Sequence, residues 1–234
     1  MLPVVIVAHG QPSDPAPLAA EVAALAASVA ALLPGRVVLS ATLAEAGALA
    51  AVTAGTGPAG LVYPLFMAGG WFTRIHLPRK LAEAGAAGWT VLEPMGCDPA
   101  VHDLAVTLAR EAGAGAVLLA AHGSGRSAVP SDIARHVAGR IAAELGIRAK
   151  AAFIDQSPRI AEARDFPADA VCLPFFAAGG GHVTGDIPAA LSDAGFAGRL
   201  LPPLGADGRV PAIIARAIAA AVPVCSGTCR WSAG

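Results

Sequence analysis

Charge is scarce in this 234-residue chain: Asp, Glu, Lys and Arg make up 14%, and the net charge is -1. No basic cluster interrupts that neutrality, which argues against nucleic acid as a partner. A charged-then-apolar leader is missing before the first apolar run, so no signal peptide is read. The longest apolar stretches are broken by Glu21, Arg216 or prolines and are expected to fall short of a bilayer span. Only four cysteines occur, and Cys97 and Cys172 sit in apolar or loop-end contexts that suit buried thiols rather than a disulfide framework. A phosphate loop is missing too, because AGGG at 178–181 lacks the Lys-Ser/Thr ending; no nucleotide is expected. These absences lead to the expectation of a cytoplasmic protein, monomer or homodimer, with no nucleic acid or membrane as partner.

Apolar residues, by contrast, are abundant at 55%, enough for two cores of ordinary size. The chain also repeats itself. LVYPLFMAGGWFTRIHLP at 61–78 aligns without gaps on VCLPFFAAGGGHVTGDIP at 171–188, and VVIVAHG at 4–10 answers VLLAAHG at 117–123. Two copies are too few for a solenoid and read as a duplicated unit. The expected division is 1–113, 114–223 and a cysteine-containing tail, 224–234. In each copy, short valine-rich runs alternate with helical patterns, which predicts an α/β fold of two duplicated, doubly wound parallel-sheet halves. A helix is expected over 158–164, Pro174 is expected to stop hydrogen-bonded strand pairing, and the helix after the glycine-rich loop is expected over 187–194, opened by Asp186 and Pro188. In parallel sheets, ligands sit beyond the carboxyl ends of the strands, where His9, His122, Phe72 and His182 all fall.

Matching positions differ in chemistry. The second copy offers His122, Asp155 and His182 after its first three strands; the first offers His9, Ala44 and Phe72. Two imidazoles and a carboxylate converging on a hollow suit a borderline divalent ion such as Co²⁺, Fe²⁺, Ni²⁺ or Zn²⁺. The site is therefore expected in the second half, with His9 as a secondary candidate. His76 aligns with Asp186, and His102 and His136 are read as surface residues.

AAHGSG, AAFIDQSP and LPFFAAGGGHVTGDIP resemble the three signatures of the class II tetrapyrrole metal chelatases, most closely the long duplicated form of the sirohydrochlorin cobalto- and ferrochelatases of cobalamin and sirohaem biosynthesis. The resemblance covers most of the chain. It implies a ferrochelatase-like bilobal fold holding the tetrapyrrole between the halves, and a lyase that inserts Co²⁺ or Fe²⁺, with Ni²⁺ also possible, into a sirohydrochlorin-like ring. His122 and His182 match the histidines that carry the metal, and Asp155 stands where an acid, commonly glutamate, assists proton removal. The arginine that often follows histidine-glycine-serine is displaced here by Gly125, to Arg126.

Such insertion releases two pyrrole protons and requires no nucleotide. Ser124, Arg126, Gly180, Gly181 and Thr184 are the candidate substrate-binding residues, with Arg74 and Arg159 as further rim donors. Activity is expected to fall as pH drops through the range where imidazoles ordinarily protonate, about 6.5. The alternative is a non-catalytic metal or tetrapyrrole carrier. A histidine phosphatase or mutase fits less well, because Ala8 and Ala121 precede the histidines where an arginine would be needed. Cys225 and Cys229 in the tail are half a metal site, and a disordered or non-functional tail is the favoured reading.

Overall fold

The structure, a computed structural model, describes residues 1–226 and 229–231. It divides into two compact units, Met1–Asp98 with Gly208–Thr228, and Pro99–Asp207 with Cys229–Gly234.

In the first unit, β1 (Val4–Ala8), β2 (Val38–Thr42), β3 (Leu61–Pro64) and β4 (Thr90–Val91) form a fully parallel sheet in the order β2-β1-β3-β4. Its helices are α1 (Pro15–Leu32), α2 (Ala48–Ala54) and α3 (Leu77–Glu83). Val5 and Val7 of β1 point into a core shared with Val62, Leu77, Leu81 and Trp89. In the second unit, α4 (Pro99–Glu111) precedes β5 (Ala116–Ala121), α5 (Val129–Leu145), β6 (Arg148–Phe153), β7 (Val171–Pro174), α6 (Ile187–Ala194) and β8 (Arg199–Leu200). The strand order, β6-β5-β7-β8, is again all parallel. Leu118, Ala120, Cys172, Ile187 and Leu191 share its core. Strands β1, β5 and β7 are buried along their length, as strands covered on both faces must be.

The compact units do not follow the sequence repeat. Helix α4 packs on α5 in the second unit, and α7 (Val210–Ala220) packs on α1 in the first. By length and composition α1 is apolar enough to cross a membrane, against the sequence expectation. In the fold, its Val22, Ala26 and Val29 are buried and the helix packs on β2 and α7.

Three local readings change. The helix expected over 158–164 is only a 3₁₀ turn, Ile160–Glu162. Pairing runs one residue past Pro174, since the Phe175 N–H donates to the Ala120 carbonyl at 2.7 Å. The tail is docked in its described part: Val222 and Val224 pair with the edge of β4, Arg74 Nη2 donates to Cys225 Sγ at 2.9 Å, and Cys229 is buried. The remaining tail residues, 227–228 and 232–234, lie outside the described residues.

Candidate metal and active site

The segments that follow the carboxyl ends of β5 and β7 bring His122 and His182 together. His122 follows β5 directly. Gly123, at φ +75°, turns the chain there, and a Cβ on it would fall 2.7 Å from Gln156 Cγ, so only glycine fits this left-handed position. The Asp155 N–H donates to the His122 carbonyl at 3.0 Å, and the Ser124 N–H to Gln156 Oε1 at 2.7 Å. The His122 loop is thus tied at two points to the loop after β6.

His182 sits not in a loop but in a wide helical turn. The segment His182–Asp186 is a π turn closed by the Ile187 N–H donating to the His182 carbonyl. Pro188 has no N–H and its ring crowds the carbonyl four residues back, a strain that a wider turn relieves. Helical structure accordingly begins at Gly181, before the helix start expected at Asp186. Gly180, at φ +132°, makes the entry to this turn. Its carbonyl accepts from the Val183 and Thr184 N–H groups at 3.0 Å and from Thr184 Oγ1 at 3.1 Å, so the Thr184 hydroxyl proton is engaged within the turn.

The two imidazoles meet edge to face, ring centroids 4.8 Å apart and planes at 86°. Both are about half exposed, with side-chain accessibilities of 45% and 49%. Each has an acceptor at Nδ1. His182 Nδ1 lies 2.6 Å from Asp186 Oδ2. His122 Nδ1 lies 3.1 Å from the Gly123 carbonyl and 3.4 Å from Asp155 Oδ2. A proton on each Nδ1 leaves both Nε2 lone pairs available, the arrangement that orients an imidazole as a metal ligand.

Among the described residues no three His, Cys, Asp or Glu side chains form a ready metal cluster. The expected convergence of two imidazoles and a carboxylate is therefore corrected: Asp155 lies on the Nδ1 side of His122. Ser124 accepts at Oγ from the Arg126 N–H at 3.1 Å, and the Arg126 side chain is exposed. The Arg159 guanidinium donates to the Ile154 carbonyl at 2.9 Å. Of the two residues beside the histidines, Asp186 was read from sequence as a helix opener and not as a partner of His182, and Gln156 was not singled out. The four-residue spacing from His182, one helical turn, was the available signal for Asp186.

The first unit repeats the frame with other side chains. His9 Nδ1 lies 3.0 Å from the Gly10 carbonyl, and the Ala44 N–H donates to the His9 carbonyl at 2.8 Å. Phe72 opens an equivalent π turn, Phe72–His76, and its ring meets His9 edge to face, with the same centroid separation of 4.8 Å. The Asp186 position is His76, whose Nδ1 faces Arg79 Nη2 at 3.1 Å. Burial, then Arg79 and Lys80, push the His76 imidazole below its usual range. His102 and His136 are not a surface pair: His102 is fully buried, and Trp231 packs on both, at 4.8 and 4.5 Å.

The CbiX family model matches residues 116–221, the stretch that carries both imidazoles. The chain is 49% identical to CbiX, the terminal enzyme for sirohaem biosynthesis in denitrifying bacteria, over 94% of this chain and 99% of that one, with a TM-score of 0.86. SirB from Bacillus subtilis with Fe³⁺ is similar in fold at 14% identity and a TM-score of 0.73, over 94% of each chain. The sirohydrochlorin chelatase SirB from Bacillus subtilis subspecies spizizenii, in complex with cobalt, gives 15% and 0.69 over the same shares. Among curated proteins no sequence matches. The chain belongs to the CbiX family of class II tetrapyrrole metal chelatases.

Proposed function

We propose that the second unit inserts a divalent ion, Co²⁺ or Fe²⁺, into sirohydrochlorin or a closely related tetrapyrrole, without a nucleotide and in the cytoplasm. The observation that carries this reading is the edge-to-face pair of His122 and His182, both with Nδ1 engaged. Two neutral imidazoles hold a divalent ion through Nε2 while leaving most of its coordination sphere open, so the ion can be surrendered to a ring. The role of CbiX from denitrifying bacteria in sirohaem biosynthesis supports iron as one metal.

Insertion exchanges two pyrrole N–H bonds for metal–nitrogen bonds and releases two protons. Asp155, exposed beside His122, is the proposed proton acceptor, with the imidazoles as relays once the ion has left them. Ser124, Arg126 and the Gly180–Gly181 backbone line the same strand ends and supply polar contacts for the ring's acidic side chains. The first unit, with Phe72 in place of a second imidazole, is not proposed as an insertion site.

A visible-absorption insertion assay tests the proposal, with Co²⁺, Fe²⁺ and Ni²⁺ supplied in turn to sirohydrochlorin. Wild type is expected to turn over, and His182→Ala to lose about a hundredfold or more in rate while keeping its circular dichroism. Full activity in that variant would refute the assignment. Tight ring binding without turnover in wild type would point instead to a carrier.

A further inference from the structure

The first unit keeps a site of its own. His9 and Phe72 occupy the backbone positions that His122 and His182 hold in the second unit, at the same 4.8 Å ring separation. Around them Trp71 meets Phe72 edge to face at 5.1 Å and stacks on His76 at 5.1 Å. Trp71 and Phe72 are each 41% exposed and Ile75 is 58% exposed, so three large apolar side chains stand in water beside a half-free imidazole. A contiguous patch of this kind marks a binding surface more often than a scattered apolar residue does.

The imidazole chemistry narrows the occupant. His9 is exposed, and its Nδ1 lies 3.0 Å from the Gly10 carbonyl; with the proton on Nδ1, the Nε2 lone pair is free for a ligand bond. His76 cannot add a second ligand from Nδ1, which accepts from Arg79. A bare divalent ion is poorly held by one imidazole. An ion already seated in a tetrapyrrole has its four in-plane positions filled by ring nitrogens and takes ligands only along the axis. One imidazole is then sufficient, and the surrounding ring faces have a large planar partner to cover.

We infer that the first unit binds a metallated tetrapyrrole, with His9 Nε2 as its axial ligand and Trp71 and Phe72 against the ring. Binding adds one metal–nitrogen bond, displaces at most a bound water, and changes no oxidation state. Exchanging the second imidazole for Phe72 thus turns a frame suited to a bare ion into one suited to the product of insertion. The choice of product as occupant rests on the insertion reading above.

Cobalt sirohydrochlorin prepared beforehand, and the metal-free ring beside it, are titrated into the full chain carrying His122→Ala and His182→Ala, followed by visible absorption. The expected result is a cobalt-dependent band shift and tighter binding of the metallated ring. Adding His9→Ala should abolish the shift and weaken binding by about tenfold or more, and Trp71→Ala should weaken binding about three- to tenfold while the shift remains. If His9→Ala is poorly folded by circular dichroism, His9→Gln replaces it and is expected to lose the shift in the same way. A band shift that survives loss of the His9 imidazole, or equal affinity for both rings, overturns the inference. Failure of wild type to insert metal while His9-dependent binding persists would count against the insertion reading alone.

Discussion

At the scale of single residues, the contact that matters most is the 2.6 Å approach of Asp186 to His182. It fixes which nitrogen carries the proton and how the ring points. Asp186→Ala should therefore lower cobalt affinity by about 10- to 100-fold, with Asp186→Glu restoring part of it; calorimetry on the two variants checks this. His182 itself was legible in the sequence because the repeat sets it against Phe72. Asp186 was read as a helix opener, since an acid next to Ile187-Pro188 satisfies that pattern equally well. His102 was misread for a different reason. Its helix face is covered by Trp231, from the far end of the chain, and no local pattern announces that contact. Its neighbour His136 gives a pH test. Burial, then Arg140, push its imidazole below the usual range. The unfolded chain thus takes up a proton more readily than the folded one as pH falls below about 6.5. Stability is complete above that pH and declines through the lower folded value. His136→Gln should make the loss of melting temperature between about pH 7 and about pH 5 shallower.

Among the elements, the π turn before α6 decides where His182 lies. It is pinned from below by Ile187, which is fully buried, and by Val183. Ile187→Ala should cost about 2–5 kcal/mol in urea unfolding and loosen the turn above it. A second constraint comes from the 3₁₀ turn Leu204–Ala206, whose Gly205 N–H donates to the Phe176 carbonyl at 2.9 Å. A Cβ on Gly205 would lie 2.0 Å from the Ala177 carbonyl oxygen, as one on Gly96 would lie 2.1 Å from that of Met67. Gly205→Ala must displace the segment that leads into the glycine loop, so insertion should slow although no histidine is touched. Parallel rates for this variant and wild type would show that the loop holds its place without that approach. The strands and their parallel order were readable from valine-rich runs alternating with helical periodicity. The π turns were not, because Pro78 and Pro188 give the same signal for an ordinary helix start as for a widened turn.

For the whole molecule, the duplication was visible in the aligned glycine loops, but the exchange of last helices was not. Repeats report which segments are alike, and packing depends on which apolar faces meet. Removing the chain from Val222 onward would strip the edge of β4 of two backbone hydrogen bonds, from the Glu93 N–H to Val222 and from the Val224 N–H to Val91. These two bonds account for about 1–3 kcal/mol, and loss of Trp231 from the face of buried His102 adds to it, so urea titration should show a drop larger than the bonds alone. The partition of helices has a temporal meaning as well. The body of the second unit is one unbroken run, Pro99–Asp207, whereas α1 receives α7, and the Arg36 guanidinium its Ile218 carbonyl, only from the last part of the chain. On the ribosome, α1 can settle on β1 and β2 early, but the part of its surface that α7 covers stays open until the end of synthesis and is a segment a chaperone would meet.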